Sequence, residues 1–349
     1  MTGTGSALKS LVVGCGHAGR DLHLAVLHRH RHTNIGVVDR LFEPDCADPR
    51  LPLAQFRRLD EVIGFPPEQT VVHVCTGPRD HVSIVRDASA HGYRQFVVEK
   101  PLATCVADAD HVLDLTRRLG LDVLVVANWL SSSLTDRVAE RLREARLRPI
   151  SVVMRQHKSR IGTSLASTTH DLAFDVEMPH LVALALHLFG PELTLDGADL
   201  QELRVGHVVR PGLGAARIRL RTTQGVPLML ESFLDAPISE RSITARYPDG
   251  SEIRGYYPVD SRDFYSQLIH VDPAGRMTDR ELLVDQTLDR FLREAYAWFE
   301  GRGQRPISDA HLHRSVVDVL DLARNDARTR PRPRPAVDAP APSWIEPSP

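Results

Sequence analysis

Between residues 8 and 125, short Val/Ile/Leu runs alternate with helix-length stretches, and the first run ends in a cluster of glycines. LKSLVVGCG reads as a strand entering Gly14-Cys15-Gly16-His17-Ala18-Gly19. A helix over about 19–30 follows, then a second apolar run, NIGVVDR. VVHVCTG is a third strand, and a helix over 81–92 stops at Gly92. RQFVVEKP is a fourth strand, a helix over 106–119 stops at Gly120, and LDVLVVANW is a fifth strand. Strands that are apolar at successive positions must be covered on both faces. Strand–helix alternation of this kind predicts a parallel, doubly wound sheet, that is, an α/β fold.

After residue 128 the pattern changes. A helix, SLTDRVAERLREAR, leads into a strand, ISVVMRQHK. The polar stretch SRIGTSLASTTHDLAFDVE is too long for a tight turn, and loops of that length are usually functional or disordered. MPHLVALALHLFG reads as an apolar helix closed by Gly190. Segments such as LQELRVGHVV, AARIRLRTT, VPLMLESFL, RSITARYP and SEIRGYYP alternate, and TTQG and YPDG mark hairpins, so residues 200–258 predict an antiparallel sheet. Two late helices are expected in DRELLVDQTLDRFLREAYAWFEG and SDAHLHRSVVDVLDLAR. Residues 331–349 carry seven prolines and cannot supply a core, so an extended or disordered tail is expected there.

Composition narrows the partners. The formal net charge of −2 over 349 residues argues against a dedicated nucleic-acid binder, which needs a basic face. No apolar run approaches the ~20 residues of a membrane span, and the N-terminus has no signal-peptide core, so a cytoplasmic location is expected. Cys15, Cys46, Cys75 and Cys105 fit no metal spacing and read as reduced thiols; no metal site is expected.

The glycine turn has a chemical reading. Gly14 permits the tight turn, Gly16 lets backbone approach a pyrophosphate, and Gly19 lets the helix pack close to the strand. The helix N-terminus, with His17 and Ala18, offers N–H groups to phosphates. Asp39 ends the second strand, 25 residues after Gly14, where a carboxylate accepts from adenosine ribose hydroxyls. It favours NAD; Arg40 beside it is suited to the 2′-phosphate of NADP, which stays an alternative. Thr76, Gly77, Pro78 and His81 leave the third strand on the same edge and are further cofactor candidates, His81 equally well a plain helix-start residue. Asn128 ends the fifth strand and is a cofactor candidate too, while Trp129 reads better as core than as pocket wall.

Glu99-Lys100-Pro101 ends the fourth strand on that edge. An amine there is partly desolvated, which suits proton transfer and polarisation of a carbonyl. Only three of the 43 basic residues are lysine, and arginine cannot titrate in such a role. Pro101 fixes the chain direction, a cis peptide being one option. A solvated ion pair at a strand end is the plainer alternative.

VVGCGHAGRDLH, VVDR, VCTGPRDH, HGYRQFVVEKPLA and PHLVALALHLFG, in this order, resemble the glucose–fructose oxidoreductase, inositol dehydrogenase and MocA (Gfo/Idh/MocA) family over roughly residues 8–325. The resemblance implies an N-terminal Rossmann domain, residues 1–127, and a C-terminal α+β domain with an open antiparallel sheet, residues 128–327, before a tail at 328–349. It implies an NAD(P)-dependent oxidoreductase acting on a secondary alcohol or ketone of a sugar, cyclitol or related molecule. Lys100 inherits a place by substrate and nicotinamide, with Glu99 beside the cofactor. His180, ten residues before Gly190, matches the family's acid/base histidine, and His187 reads as structural.

The chain also departs from the family. Many members carry Asp four residues before this histidine and Asp three residues after it; here Val176 and Ala183 stand there. Asp175 or Glu177 is the candidate replacement, and both are expected near substrate. Arg155, His157, Lys158 and Arg160 cluster before the polar stretch; Arg155 and Lys158 are candidate contacts to an anionic substrate, or part of a solvated surface. Two other functions stay open: a non-catalytic nucleotide-binding regulator, and a lyase, epimerase or hydrolase using NAD transiently. An open sheet with an apolar face to cover predicts a homodimer or homotetramer.

Overall fold

The computed structural model describes residues 8–30, 34–41, 53–166, 172–260 and 263–329. Cys46 and the proline-rich segment from 330 onward lie outside the described residues. The first half builds a six-stranded parallel sheet, ordered β3-β2-β1-β4-β5-β6. Its strands are β1 (Lys9–Val13), β2 (Ile35–Val38), β3 (Ala54–Phe56), β4 (Thr70–Val74), β5 (Gln95–Val98) and β6 (Asp122–Val125). The short β3 was not expected; three residues between polar segments carry no readable period. The chain order reverses between β1 and β4, the point where ligands bind in such sheets.

Alternation of side chains divides the parallel strands between two cores. Leu11, Val13, Val72, Val74, Phe96, Val98, Val123 and Val125 face one side, under α2 (His81–Ala90) and α3 (Val106–Leu119). Val12, Val71, Val97 and Leu124 face the other, under the helix after the glycine turn and under α7 (Thr287–Phe299). That first helix is π-wound over Ala18–Leu24 and continues as α1 over Ala25–Arg29. α3 stops where expected, with Gly120 left-handed at φ +64° and its N–H bonded to the Thr116 carbonyl.

The second sheet has eight strands, β14-β13-β12-β11-β7-β10-β9-β8. They are β7 (Ser151–Ser159), β8 (Leu193–Val205), β9 (Val208–Thr222), β10 (Pro227–Phe233), β11 (Asp235–Arg246), β12 (Glu252–Tyr256), β13 (Tyr265–Val271) and β14 (Met277–Val284). The expectation of an antiparallel sheet needs one correction: β7 and β10 pair in parallel, so the sheet is mixed. The hairpins at TTQG and YPDG are present, with Gly225 and Gly250 at positive φ. DRELLV, expected to begin a helix, is strand: it alternates in exposure and pairs with β13 as β14, and the helix begins at Thr287.

α4 (Ser133–Glu144), α6 (Met178–Phe189) and α8 (Ala310–Thr329) cover one face of this sheet. α6 is buried all round from Met178 to Leu186, which explains its lack of a polar side. The polar stretch before it is partly structured, as α5 (Ile161–Ala166) and a single turn at Ala173–Asp175; residues 167–171 lie outside the described residues. The uncovered face is not the apolar surface expected. It carries Arg155 and Arg217 on Glu231, Arg219 on Asp199 and Arg221 on Asp196. No helix of the described residues is long and apolar enough to cross a membrane.

α8 also closes onto the parallel sheet. The Ser308 hydroxyl donates to the Val125 carbonyl at 2.5 Å and meets His313 Nε2 at 2.9 Å. Burial holds the His313 imidazole down to about 3. The unfolded chain then binds a proton below about pH 6.5 that the folded chain does not, so acid favours unfolding. The cost reaches about 1.4 kcal/mol per pH unit below that point. Melting temperature is therefore expected to fall between pH 7 and 5, and to fall less steeply in His313→Gln, measured by calorimetry.

Candidate functional site

Parallel pairing sets the ends of the strands side by side. Beyond the regular ladders, Gly14 N–H donates to the Val38 carbonyl, Cys75 to Val13, Glu99 to Val74 and Val126 to Val98. The glycine turn, Asp39, Thr76, Lys100 and Asn128 thus stand along one carboxyl edge.

The glycines fit the reasons given for them. Gly14 has φ +93°, and a Cβ there would lie 2.8 Å from Thr76 Cγ2. A Cβ on Gly19 would lie 2.0 Å from the Gly14 carbonyl oxygen, an impossible approach. A Cβ on Gly16 or Gly77 would meet nothing within 4 Å, so both face open space over the turn. The Asp39 carboxylate accepts from Cys15 N–H at 2.6 Å and from Leu41 N–H at 2.8 Å. It is therefore pinned against the turn, while Arg40 is exposed beside it. His17 is exposed, on Asp21 of the same turn, next to Ala18. Pro78 follows Gly77 on the half-buried exit from β4. Thr76 Oγ1 and Asn128 Oδ1 are buried without a hydrogen-bond partner. Such atoms in a cleft are normally satisfied by something bound.

Two cofactor candidates are turned elsewhere. His81 is 1% exposed, and its ring nitrogens face the Pro101 carbonyl at 2.9 Å and the Thr76 carbonyl at 3.0 Å. Burial lowers its proton affinity, and the ring ties the β4 exit to the β5 exit. The buried Glu99 carboxylate meets His23 Nε2 at 3.0 Å and accepts from Lys100 N–H at 3.2 Å. It supports the edge from behind.

Lys100 precedes a cis peptide to Pro101. Its ammonium donates to the Val176 carbonyl at 2.7 Å, which places it against the start of α6. His180, in the first turn of α6, is 8% exposed, and its Nδ1 is buried without a partner. Burial first, then the charge on Lys100, depress its proton affinity to about 3, so the ring is neutral. The ring lies parallel to Trp129, with centroids 6.5 Å apart, and Trp129 stacks on Tyr257 at 4.4 Å. Trp129 is thus both core and a shelf for His180. Tyr257 has no sequence signal; it directly follows β12, and only the stack reveals it.

Glu177, not Asp175, is the acid beside this pair. Asp175 pairs with Arg324 at 2.7 Å and accepts from Leu172 N–H, so it anchors α8. Glu177 is 2% exposed and is bound by Lys158 and by the Gln156 amide. Burial works to raise its affinity for a proton, but Lys158 and then Lys100 outweigh that and hold it at about 2. Strand alternation explains the choice of cations. Gln156 and Lys158 share one face of β7, while Arg155 and His157 share the other, on Glu231 and on the ring of Phe233. Arg155 therefore does not reach the Lys100 cluster. Arg241 does approach it: it is the cross-strand partner of Gln156, and it feels the Glu177 charge. Arg160 completes the group at 4.0 Å from Glu177. The Nε atoms of Arg160 and Arg241 are buried without partners.

Residues 8–127 match the family model described as Gfo/Idh/MocA, oxidoreductase family, NAD-binding Rossmann fold. No curated protein sequence matches the chain. Solved structures share its fold along nearly the whole length. A 3-ketoreductase from Actinomadura kijaniata, in complex with TDP-benzene and NADP, is 18% identical with a TM-score of 0.73, covering 92% of this chain and 98% of its own. The WlbA dehydrogenase from Bordetella pertussis, in complex with NADH and UDP-GlcNAcA, is 18% identical with a TM-score of 0.72, covering 93% and 97%. An oxidoreductase from Agrobacterium radiobacter, in complex with NAD+, L-tartaric acid and magnesium, is 16% identical with a TM-score of 0.71, covering 93% and 97%.

The contrast between two glycines is testable without any ligand. Gly19→Ala must displace backbone, at a cost of about 1–3 kcal/mol, and is expected to lower the melting temperature by several degrees. Gly16→Ala, facing open space, should leave it unchanged in the same thermal scan.

Proposed function

We propose that this chain, whose residues 8–127 match the Gfo/Idh/MocA oxidoreductase family model with its NAD-binding Rossmann fold, is an NAD(P)-dependent oxidoreductase moving hydride to or from a secondary alcohol or ketone carbon of a sugar, cyclitol or related small molecule. The observation that carries this reading is the juxtaposition of Lys100 with a neutral, buried His180 at the carboxyl edge of the parallel sheet. The dinucleotide fits the residues present: the open space over Gly16 and Gly77, and the unpartnered Thr76 Oγ1 and Asn128 Oδ1. When bound, the nicotinamide supplies or takes the hydride. In the oxidative direction, neutral His180 accepts the hydroxyl proton. The Lys100 charge holds the oxygen as negative charge develops on it. In the reductive direction the same groups polarise the ketone and return the proton.

The substrate side is cationic. Lys100, Lys158, Arg160 and Arg241 converge around a single buried carboxylate, Glu177. Two guanidinium N–H groups there lack acceptors. This excess favours an anionic substrate, a carboxylated or phosphorylated sugar, over a neutral polyol. The solved relatives crystallised with a TDP or UDP compound are consistent with that. For assembly, a homodimer or homotetramer is proposed, through the arginine–carboxylate ladder of the open sheet face; a single-chain mass by light scattering overturns it. A cytoplasmic setting suits the reduced thiols of Cys75 and Cys105.

Fluorescence titration with NADH and, separately, NADPH tests the cofactor. Tighter NADH is expected, because Asp39 repels a 2′-phosphate; tighter NADPH transfers the discrimination to Arg40. Binding of neither by folded protein overturns the redox reading. Lys100→Met is expected to abolish turnover while leaving coenzyme affinity within about twofold, and unchanged turnover removes Lys100 from the chemistry. Arg241→Gln is expected to raise KM for an anionic keto-sugar about 10–100-fold with little effect on a neutral one.

A further inference from the structure

Behind the carboxyl edge runs a line of buried polar groups that the proposed chemistry does not use. Ser10 on β1, His73 on β4 and His23 in the π-wound helix are 0% exposed, and Tyr296 of α7 is 6% exposed. Ser10 Oγ lies 2.5 Å from the Tyr296 hydroxyl, and that hydroxyl 2.8 Å from His73 Nε2. His73 Nδ1 lies 2.8 Å from His23 Nδ1, the two rings at 88°. His23 Nε2 then meets Glu99 Oε1 at 3.0 Å, and Glu99 Oε2 accepts from Lys100 N–H.

Hydrogen counting orients this line. A carboxylate only accepts, so His23 Nε2 carries a hydrogen. In a neutral His23, Nδ1 is then bare, and His73 Nδ1 must donate to it. His73 Nε2 is bare in turn and takes the Tyr296 hydroxyl hydrogen, and the Tyr296 oxygen accepts from Ser10. Each of these four contacts then has one donor and one acceptor. An added proton, on His23 or on His73, reverses the bonds behind it and places a charge among groups that are 0% exposed.

We propose that Ser10, Tyr296, His73 and His23 form a one-directional hydrogen-bond chain, both imidazoles neutral, that holds Glu99 as an oriented carboxylate behind Lys100. The four are positioning residues: none lies in the open cleft, and they act through Glu99 on the Lys100 backbone and on the local charge. Burial opposes the Glu99 charge, and the His23 hydrogen bond, with the Lys100 charge, works against that. α7, from the far end of the chain, thereby reaches the strand end that carries Lys100. Only this last consequence, for Lys100, rests on the function proposed above; the proton arrangement does not.

The arrangement is read by nitrogen NMR of the full chain labelled with 15N-histidine, using His23→Gln and His73→Gln to assign signals. His23 is expected to be protonated at Nε2 alone and His73 at Nδ1 alone, the rarer tautomer, at neutral pH. An imidazolium at His23, or His73 protonated at Nε2, overturns the proposal. Tyr296→Phe, nearly isosteric, is expected to move the signals of His73 and also of His23, which Tyr296 does not touch; a shift confined to His73 overturns the coupling. Ser10→Ala serves the same purpose if Tyr296→Phe fails to fold. With turnover in hand, Tyr296→Phe should lower kcat about tenfold at unchanged coenzyme affinity. Unchanged kcat with the NMR result intact removes the consequence for Lys100 and keeps the chain.

Discussion

Parallel strand pairing is the constraint on which the rest of this structure depends. Each crossover returns the chain to the same edge, so every strand of the first half delivers its last residue to one line. Backbone bonds from Gly14 to Val38, Cys75 to Val13 and Glu99 to Val74 hold that line in register. A glycine turn, a carboxylate at Asp39, an unpartnered Thr76 hydroxyl and Lys100 are neighbours for this reason alone. Close packing maintains it: with 2.0 Å between a hypothetical Gly19 Cβ and the Gly14 oxygen, the helix can sit on the turn only while that residue is glycine.

The second constraint is the two-residue period of β7. Its register with β10 and β11 sends Gln156 and Lys158 towards Glu177, and Arg155 and His157 to the open face. One residue of slip would exchange the two sets. It would break the Lys158–Glu177 pair and turn Lys158 to the outer face. The mixed sheet therefore also assigns charges, placing a compact cationic group on the cleft side and a paired ladder on the outer side.

Much of the first domain is legible from the residues. Apolar runs, a glycine turn and helix stops at Gly92 and Gly120 carry their own geometry, because each reflects local sterics and burial on both faces. β3 is not legible because three residues have no period, and DRELLV is ambiguous because a short amphipathic segment fits strand and helix alike. In the candidate site, Lys100 and His180 stand out through their settings, a strand end and a helix start. The choice between Asp175 and Glu177 is invisible in sequence: two residues apart, one turns to Arg324 and the other to Lys158. Arg241, Tyr257 and the His23–His73–Tyr296 line carry no local signal, since their partners lie far along the chain.

The sequence by itself determined the α/β first domain, the nucleotide turn and the position of Lys100, because those follow from short-range backbone geometry and periodic burial. Only the tertiary structure decided which acid faces Lys100, which cations join it, and which buried histidines stand behind it. Those outcomes depend on strand register and on helices docking across more than two hundred residues, as Ser10 meets Tyr296 286 positions away. Charge and hydrogen-bond satisfaction are properties of groups brought together, and no window along the chain contains them.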